Sequence, residues 1–350
     1  AGVGNGSLSI SGTGSKVELV STSIAPPPGA GDNFNPTMYV GSGAGNTGTI
    51  NVTAGGKLLL TGNAVSNSSF GRSTNLYIGG DSDTAAGGTG TATVSGAGSE
   101  IRVTGSDAFI AVGRNGTGTL SLNDQALVAT RAINVGRATS GVGTLNVDNS
   151  FIELSGQSAF DGTGAVLTMG NRGGSGTANI TGGSLVTITN LGSGGASLNL
   201  GGTGLNPLGH GELTLNGGSK INLVAAAGAA TVSIGYDGSG IATITGIGSQ
   251  INAGDGTTHV GRLTSGNGTV SLLAGGKLLT GIANIGGSSD VSAGGIGNVA
   301  VRGAGSELRA SGPSAFIGVG RGGTGTLTVE NGGTVTATAM SVGRNGGNGT

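Results

Sequence analysis

The chain has no cysteine and no tryptophan, and only 9 % of its 350 residues are Asp, Glu, Lys or Arg. Without thiols there is neither a disulfide framework nor a thiolate metal site, a composition compatible with an exported protein. Aromatic residues make up 3 % of the chain, too few for a stacking platform that would hold bases or sugars. The formal net charge is −1, which removes the electrostatic footprint expected for nucleic acid or an anionic membrane. No apolar run is long enough to cross a membrane as a helix, and the opening residues do not read as a signal peptide. Six prolines, with glycine not at every third place, exclude collagen.

What remains is glycine and a period. There are 81 glycines, a content bordering on low complexity. Yet the apolar residues recur in order, which disorder does not require. An apolar-Gly phrase appears eleven times, beginning with Tyr39-Val40-Gly41, Tyr77-Ile78-Gly79, Ala111-Val112-Gly113 and Asn134-Val135-Gly136 and ending with Ser341-Val342-Gly343; its glycines are 23 to 38 residues apart. Such spacing signals a solenoid, propeller or array. Shortly after each phrase comes an alternating segment such as Leu120-Ser121-Leu122, Leu145-Asn146-Val147 or Leu327-Thr328-Val329, the pattern of a half-buried strand. A third strand follows a short turn, with inward residues expected at Val17, Leu58, Ile101, Leu127, Ile152, Leu185, Ile221, Ile251, Leu278, Leu308 and Val335.

Three short strands per period predict an all-β chain: a parallel β-helix, or β-solenoid, of about eleven rungs forming one solenoid over 1–350. A hairpin meander would need reversing turns, and the Asn-Gly signal does not recur at the corners. A leucine-rich horseshoe would need a helical arc, and a propeller about four strands per repeat. Glycine runs such as Gly96-Ala97-Gly98 and Gly303-Ala304-Gly305 fall at the second-to-third corner, where a positive φ makes glycine the natural occupant. Gly116-Thr117-Gly118 imitates part of a nucleotide-binding signature, but no helix follows to supply an anion site.

Period lengths vary chiefly in the return from the third strand to the next apolar-Gly phrase, which predicts one loop-bearing edge. The first such loop, Pro26-Pro27-Pro28 through Asp32-Asn33-Phe34-Asn35-Pro36, is the least repetitive stretch. Arginine follows the apolar-Gly phrase at Arg114, Arg137, Arg262, Arg321 and Arg344, with Arg172 one place late. These guanidinium groups are expected to bond corner carbonyls or nearby carboxylates, or else to form a cationic stripe for acidic polysaccharide. Phe34, Tyr39, Arg114, Arg137 and Arg172 are therefore the candidate surface contacts. The pairs Lys16/Glu18, Glu100/Arg102 and Glu307/Arg309 read as solvated flanks of third strands. His210 and His259, the only histidines, lack the recurring acidic neighbours of a metal site or triad. Asp81-Ser82-Asp83 reads as a turn that could at most hold a cation. No catalytic, cofactor-binding or metal residue is expected.

The phrases Val112-Gly113-Arg114-Asn115-Gly116-Thr117-Gly118-Thr119-Leu120, Val319-Gly320-Arg321-Gly322-Gly323-Thr324-Gly325-Thr326-Leu327-Thr328-Val329 and Ser95-Gly96-Ala97-Gly98-Ser99 resemble the repeats of bacterial type V secretion (autotransporter) passengers and related surface proteins. The resemblance spans nearly the whole chain. It implies a right-handed coil displayed outside a Gram-negative cell and serving adhesion, aggregation or biofilm. The expected partners are a second copy, laterally or end to end, or glycans or proteins of a neighbouring surface. Nucleic acid, membrane insertion and a cofactor are not expected. A polysaccharide-processing enzyme and a passive spacer remain the alternatives. Both ends read as falling inside a repeat, so 1–350 is expected to be part of a longer array.

Overall fold

The computed structural model describes residues 4–21, 35–62, 73–105, 107–158, 161–203, 209–226, 229–288 and 293–350. Among them there is no helix; strands recur in threes. Asn5–Ser11, Lys16–Val20 and Thr37–Val40 begin the series, and each pairs in parallel with the equivalent strand of the next turn. The result is three parallel sheets of 12, 11 and 11 strands, each adding its strands in the order of every third element. This is a right-handed parallel β-helix. We call the sheets first, second and third after the order in which Asn5–Ser11, Lys16–Val20 and Thr37–Val40 enter them.

Alternation within each strand builds the core. In Thr117–Asn123, Gly118, Leu120 and Leu122 are buried while Thr119 and Ser121 face out. Parallel pairing puts Leu120 against Ala92 on one side and Leu145 on the other, so inward residues form continuous aliphatic ladders. Each fully buried Leu, Ile or Val stabilises by about 1.5–3 kcal/mol. A lone rung buries neither open face of its ladder, so stability belongs to the stack.

The tight corner between the third and first sheets explains two glycine columns. Gly113 sits at φ +73°, a conformation that L side chains resist. In the strand that follows, Gly118 faces inward against that corner, and a Cβ there would overlap the backbone nitrogen of Gly113; one turn later Gly143 stands in the same way against Gly136.

Three expectations are corrected. Leu127 and Leu185 are not the inward residues of their strands; Val128 and Val186 are, and Leu127 and Leu185 stand in the outward column with Phe151 and Lys220. Two adjacent apolar residues had left the phase ambiguous, and a one-residue slip exchanges the faces. Glu100 and Glu307 are not solvated flanks. Glu100 is buried and joins Arg102 to Lys57 of the preceding turn, the lysine at 2.8 Å; Glu307 joins Lys277 in the same way at 2.9 Å. Finally, loops occupy both edges of the third sheet. Besides the expected return loops, long connections run from Ile78 to Thr89, Leu200 to His210 and Ile285 to Ile296.

The corner between the first and second sheets is short throughout and carries a serine staple. Ser99 Oγ accepts from Gly55 N at 2.9 Å, Ser184 Oγ from Ser150 N at 3.1 Å, Ser219 Oγ from Ser184 N at 3.1 Å and Ser306 Oγ from Gly275 N at 3.0 Å. These buried serines stitch each corner to its neighbour.

Candidate functional site

The outer face of the third sheet lies between the two loop-bearing edges, and its strands end in the apolar-Gly phrase. The glycine reverses φ and directs the next side chain back over the preceding turn. Arg114 thus donates to Tyr77 Oη at 3.1 Å and places its guanidinium 5.3 Å from that ring. Arg262 donates to Ser233 Oγ at 3.2 Å and stacks 4.4 Å from Tyr236. Arg321 donates to Asn284 Oδ1 at 3.1 Å.

Arg114, Arg137 and Arg172 converge on one carboxylate. Asp83, in the connection after strand Asn75–Ile78, accepts from Arg114 Nε at 2.7 Å, from Arg137 Nε and an Arg137 terminal nitrogen at 2.8 Å each, and from Arg172 at 3.2 Å. Burial by itself would raise the Asp83 pKa, but the Arg137 and Arg114 bonds hold the carboxyl well below the usual carboxylate range. The stacked like charges of Arg114 and Arg137, which share a register position, are therefore bridged by a carboxylate and not by corner carbonyls. Within Asp81-Ser82-Asp83, Asp83 is an anchor for arginines. Among the described residues no group of three or more His, Cys, Asp or Glu could hold a metal ion.

Beside this clasp runs an open groove of about 1000 Å³. Its floor is the recessed polar column Asn134, Thr168 and Asn199 with Ser197 and Thr231; one wall carries Arg137, Arg172, Tyr236 and Arg262, the other Asp107, Arg131, Asp161 and Thr163. Arg131 donates to the Gly164 carbonyl at 3.1 Å. Burial pushes its pKa down, while the nearby Asp107 and Asp161 oppose the shift. Asp161 caps its own loop by accepting from Thr163 N at 3.0 Å and Thr163 Oγ1 at 2.6 Å. Farther along the same face, His259 is pushed down to about 3 by burial and by the charge of Arg262, so it is a neutral packing residue at neutral pH. His210 stands on the first sheet, 2.9 Å from Glu212, and the two histidines form no common site.

Of the candidate contacts, Tyr39, Arg114, Arg137 and Arg172 fall on or beside this one face. Tyr39 stacks on Tyr77 with centroids 5.5 Å apart and planes 8° from parallel, leaving half of Tyr39 exposed. Phe34 lies outside the described residues, as does most of the proline-rich loop. Asp83 reads in the sequence as part of a turn that could at most hold a cation, and Arg131, Asp107, Asp161 and Tyr236 carry no sequence signal: none repeats.

The first sheet presents a contrasting surface. Every outward position of its strands Asn5–Ser11, Thr47–Thr53, Thr89–Ser95 and Thr117–Asn123 is Ser, Thr or Asn. In the next two strands Val142 and Asp148 are the exceptions. Amides continue across rungs, with Asn179 Nδ2 donating to Asn146 Oδ1 at 3.0 Å.

The chain matches no protein-family model and no curated protein. Among solved structures it is similar to a crystal structure described as a TibC-catalyzed, hyper-glycosylated fragment, residues 55–350, of TibA. The alignment covers 97 % of this chain and 100 % of that one, at 15 % identity and a TM-score of 0.19. At that level the likeness bears on neither site nor ligand.

Proposed function

We propose that this chain is a secreted or cell-surface β-helical stalk that acts by adhesion, and that its first contact is lateral association with a second copy. The observation that carries this reading is the flat outer face of the first sheet, an unbroken field of Ser, Thr and Asn over its first four strands. Small side chains let two such faces approach closely. Their hydroxyls and amides repeat every ~4.8 Å along the coil, so donors and acceptors on two apposed copies share one lattice spacing. Almost no charge has to be desolvated, and each hydrogen bond made between copies adds about 0.5–1.5 kcal/mol net, which many positions acting together turn into useful affinity. Sedimentation velocity over a wide concentration range tests this. A shift toward dimers and higher species is expected, and a strictly monomeric boundary at the highest concentration rejects the reading.

A further inference from the structure

The groove on the third sheet belongs to a different face and serves none of the lateral contact just described. From its geometry we infer that it is a binding site for a linear acidic polysaccharide, one bearing carboxylate or sulfate groups along an extended chain.

Four observations converge on that ligand. The first is shape. The groove follows the coil axis from Phe109 to Arg262, five steps of the third sheet, or about 24 Å at the usual interstrand spacing. It is open along its length, so it suits a polymer that enters sideways and not a small molecule that must be enclosed.

The second is charge. Arg131, Arg137, Arg172 and Arg262 line the groove against Asp107 and Asp161. Behind it Asp83 and Arg114 offset one another. Two positive charges are left over, in a chain whose overall net charge is −1. The excess is local and sits where a ligand would lie.

The third is how those arginines are held. Arg262 has no carboxylate ion-pair partner among the described residues, and its guanidinium is held over the Tyr236 ring, 4.4 Å from the centroid, and by a bond to Ser233 Oγ at 3.2 Å. Arg137 and Arg172 share a single carboxylate, which leaves guanidinium donors over. A planar guanidinium whose position is already set loses little freedom on gripping a carboxylate or sulfate.

The fourth is the floor. Asn134, Ser197 and Thr231, part-exposed around the buried Thr168 and Asn199, offer amides and hydroxyls that both donate and accept, matching the hydroxyls of a sugar ring. A nucleic acid would ask instead for exposed aromatic faces and a larger cationic surface. Here Tyr236 is already covered by Arg262.

The test uses the whole chain and immobilised polymers of matched length: dextran sulfate, polygalacturonate and uncharged dextran. Binding to one or both anionic polymers, falling with added salt, and none to dextran is expected; which of the two binds more tightly identifies the anionic group. Arg262→Gln removes a cation, and Thr231→Asp places a negative charge in the floor without removing a contact made by the clasp. Each is expected to weaken anionic binding by about tenfold, with circular dichroism and the thermal midpoint checked for an intact coil. Equal binding to dextran, absence of binding to both anionic polymers, or full retention of binding in both folded variants overturns the assignment. Sedimentation is run without polymer, and the groove variants leave the first sheet unchanged, so either proposal can fail without the other.

Discussion

Arg137 grips Asp83 through two hydrogen bonds of 2.8 Å although the two residues are 54 positions apart in the chain. The same carboxylate also receives Arg114 and Arg172, so one residue from one connection ties together three later turns of the coil. A carboxylate in such a position matters less for attraction between two charges than for relieving repulsion among three.

Replacing Asp83 should therefore cost more than an exposed ion pair. Asp83→Asn leaves three partly buried guanidinium groups sharing a neutral partner, and a loss of about 1–3 kcal/mol is expected after allowance for solvent at this partly exposed site. Denaturant unfolding of the variant measures it. The acid dependence has a definite sign. Because the folded state holds the Asp83 pKa below its ordinary value of 3.8, its contribution is present above that pH and is lost as pH falls below it. The variant should lose less stability than the parent over that acidic range.

His259 produces a separate acid sensitivity at higher pH. Its folded-state pKa is about 3 against an ordinary 6.5. The unfolded chain therefore takes up the proton first, and stability declines as pH falls from 6.5 toward 3. From pH 7 to pH 5 the decline due to this group is about 2 kcal/mol. His259→Asn should flatten the stability profile across that window, and unchanged steepness would count against the assigned burial.

Two glycines in one column should respond differently to the same substitution. Gly6, Gly48, Gly90, Gly118 and Gly143 occupy equivalent register positions in the first sheet. A Cβ on Gly143 would overlap backbone, whereas one on Gly6 meets nothing within 4 Å. Gly143→Ala is expected to destabilise by about 3 kcal/mol, and Gly6→Ala to change stability by about 0.5 kcal/mol or less. Thermal unfolding of the two variants decides.

The proposed lateral contact predicts an effect of charge placed on a neutral field. Lysine at Thr119 and Thr144, adjacent on the outer face of the first sheet, would set like charges against one another when two copies meet. Thr119→Lys with Thr144→Lys should abolish association in the centrifuge while shifting stability by about 0.5 kcal/mol or less per substitution.

The architecture was legible because two patterns agree: alternation within strands, and a glycine that ends each strand of the third sheet. Where alternation was interrupted the reading slipped. Leu127 and Val128 are both apolar, as are Leu185 and Val186, so the core face could not be chosen from hydrophobicity alone. The corner serines hold the missing information. Ser150 precedes inward Ile152 by two places, Ser219 precedes Ile221, and Ser184 in the same position marks Val186. The groove was harder to foresee for a topological reason. Unequal periods reveal that residues have been inserted, but insertions at the two edges of the third sheet add to the same total. Only when the corners that carry Arg137 and Arg172 and the connection after Ser155 are placed on opposite edges do they become walls. Nor does sequence distance announce that Asp83 would meet Arg172.

A coil of this kind carries load in an unusual way. Pulled at its ends, it has only one turn's hydrogen bonds resisting at a time, because successive strands lie side by side across the direction of tension and can peel in turn. The Asp83 clasp interrupts that sequence. By fastening the connection after Asn75–Ile78 to Arg172, beyond the end of Ala165–Asn171, it makes several turns share the strain, so extension that proceeds smoothly elsewhere must pass a step there.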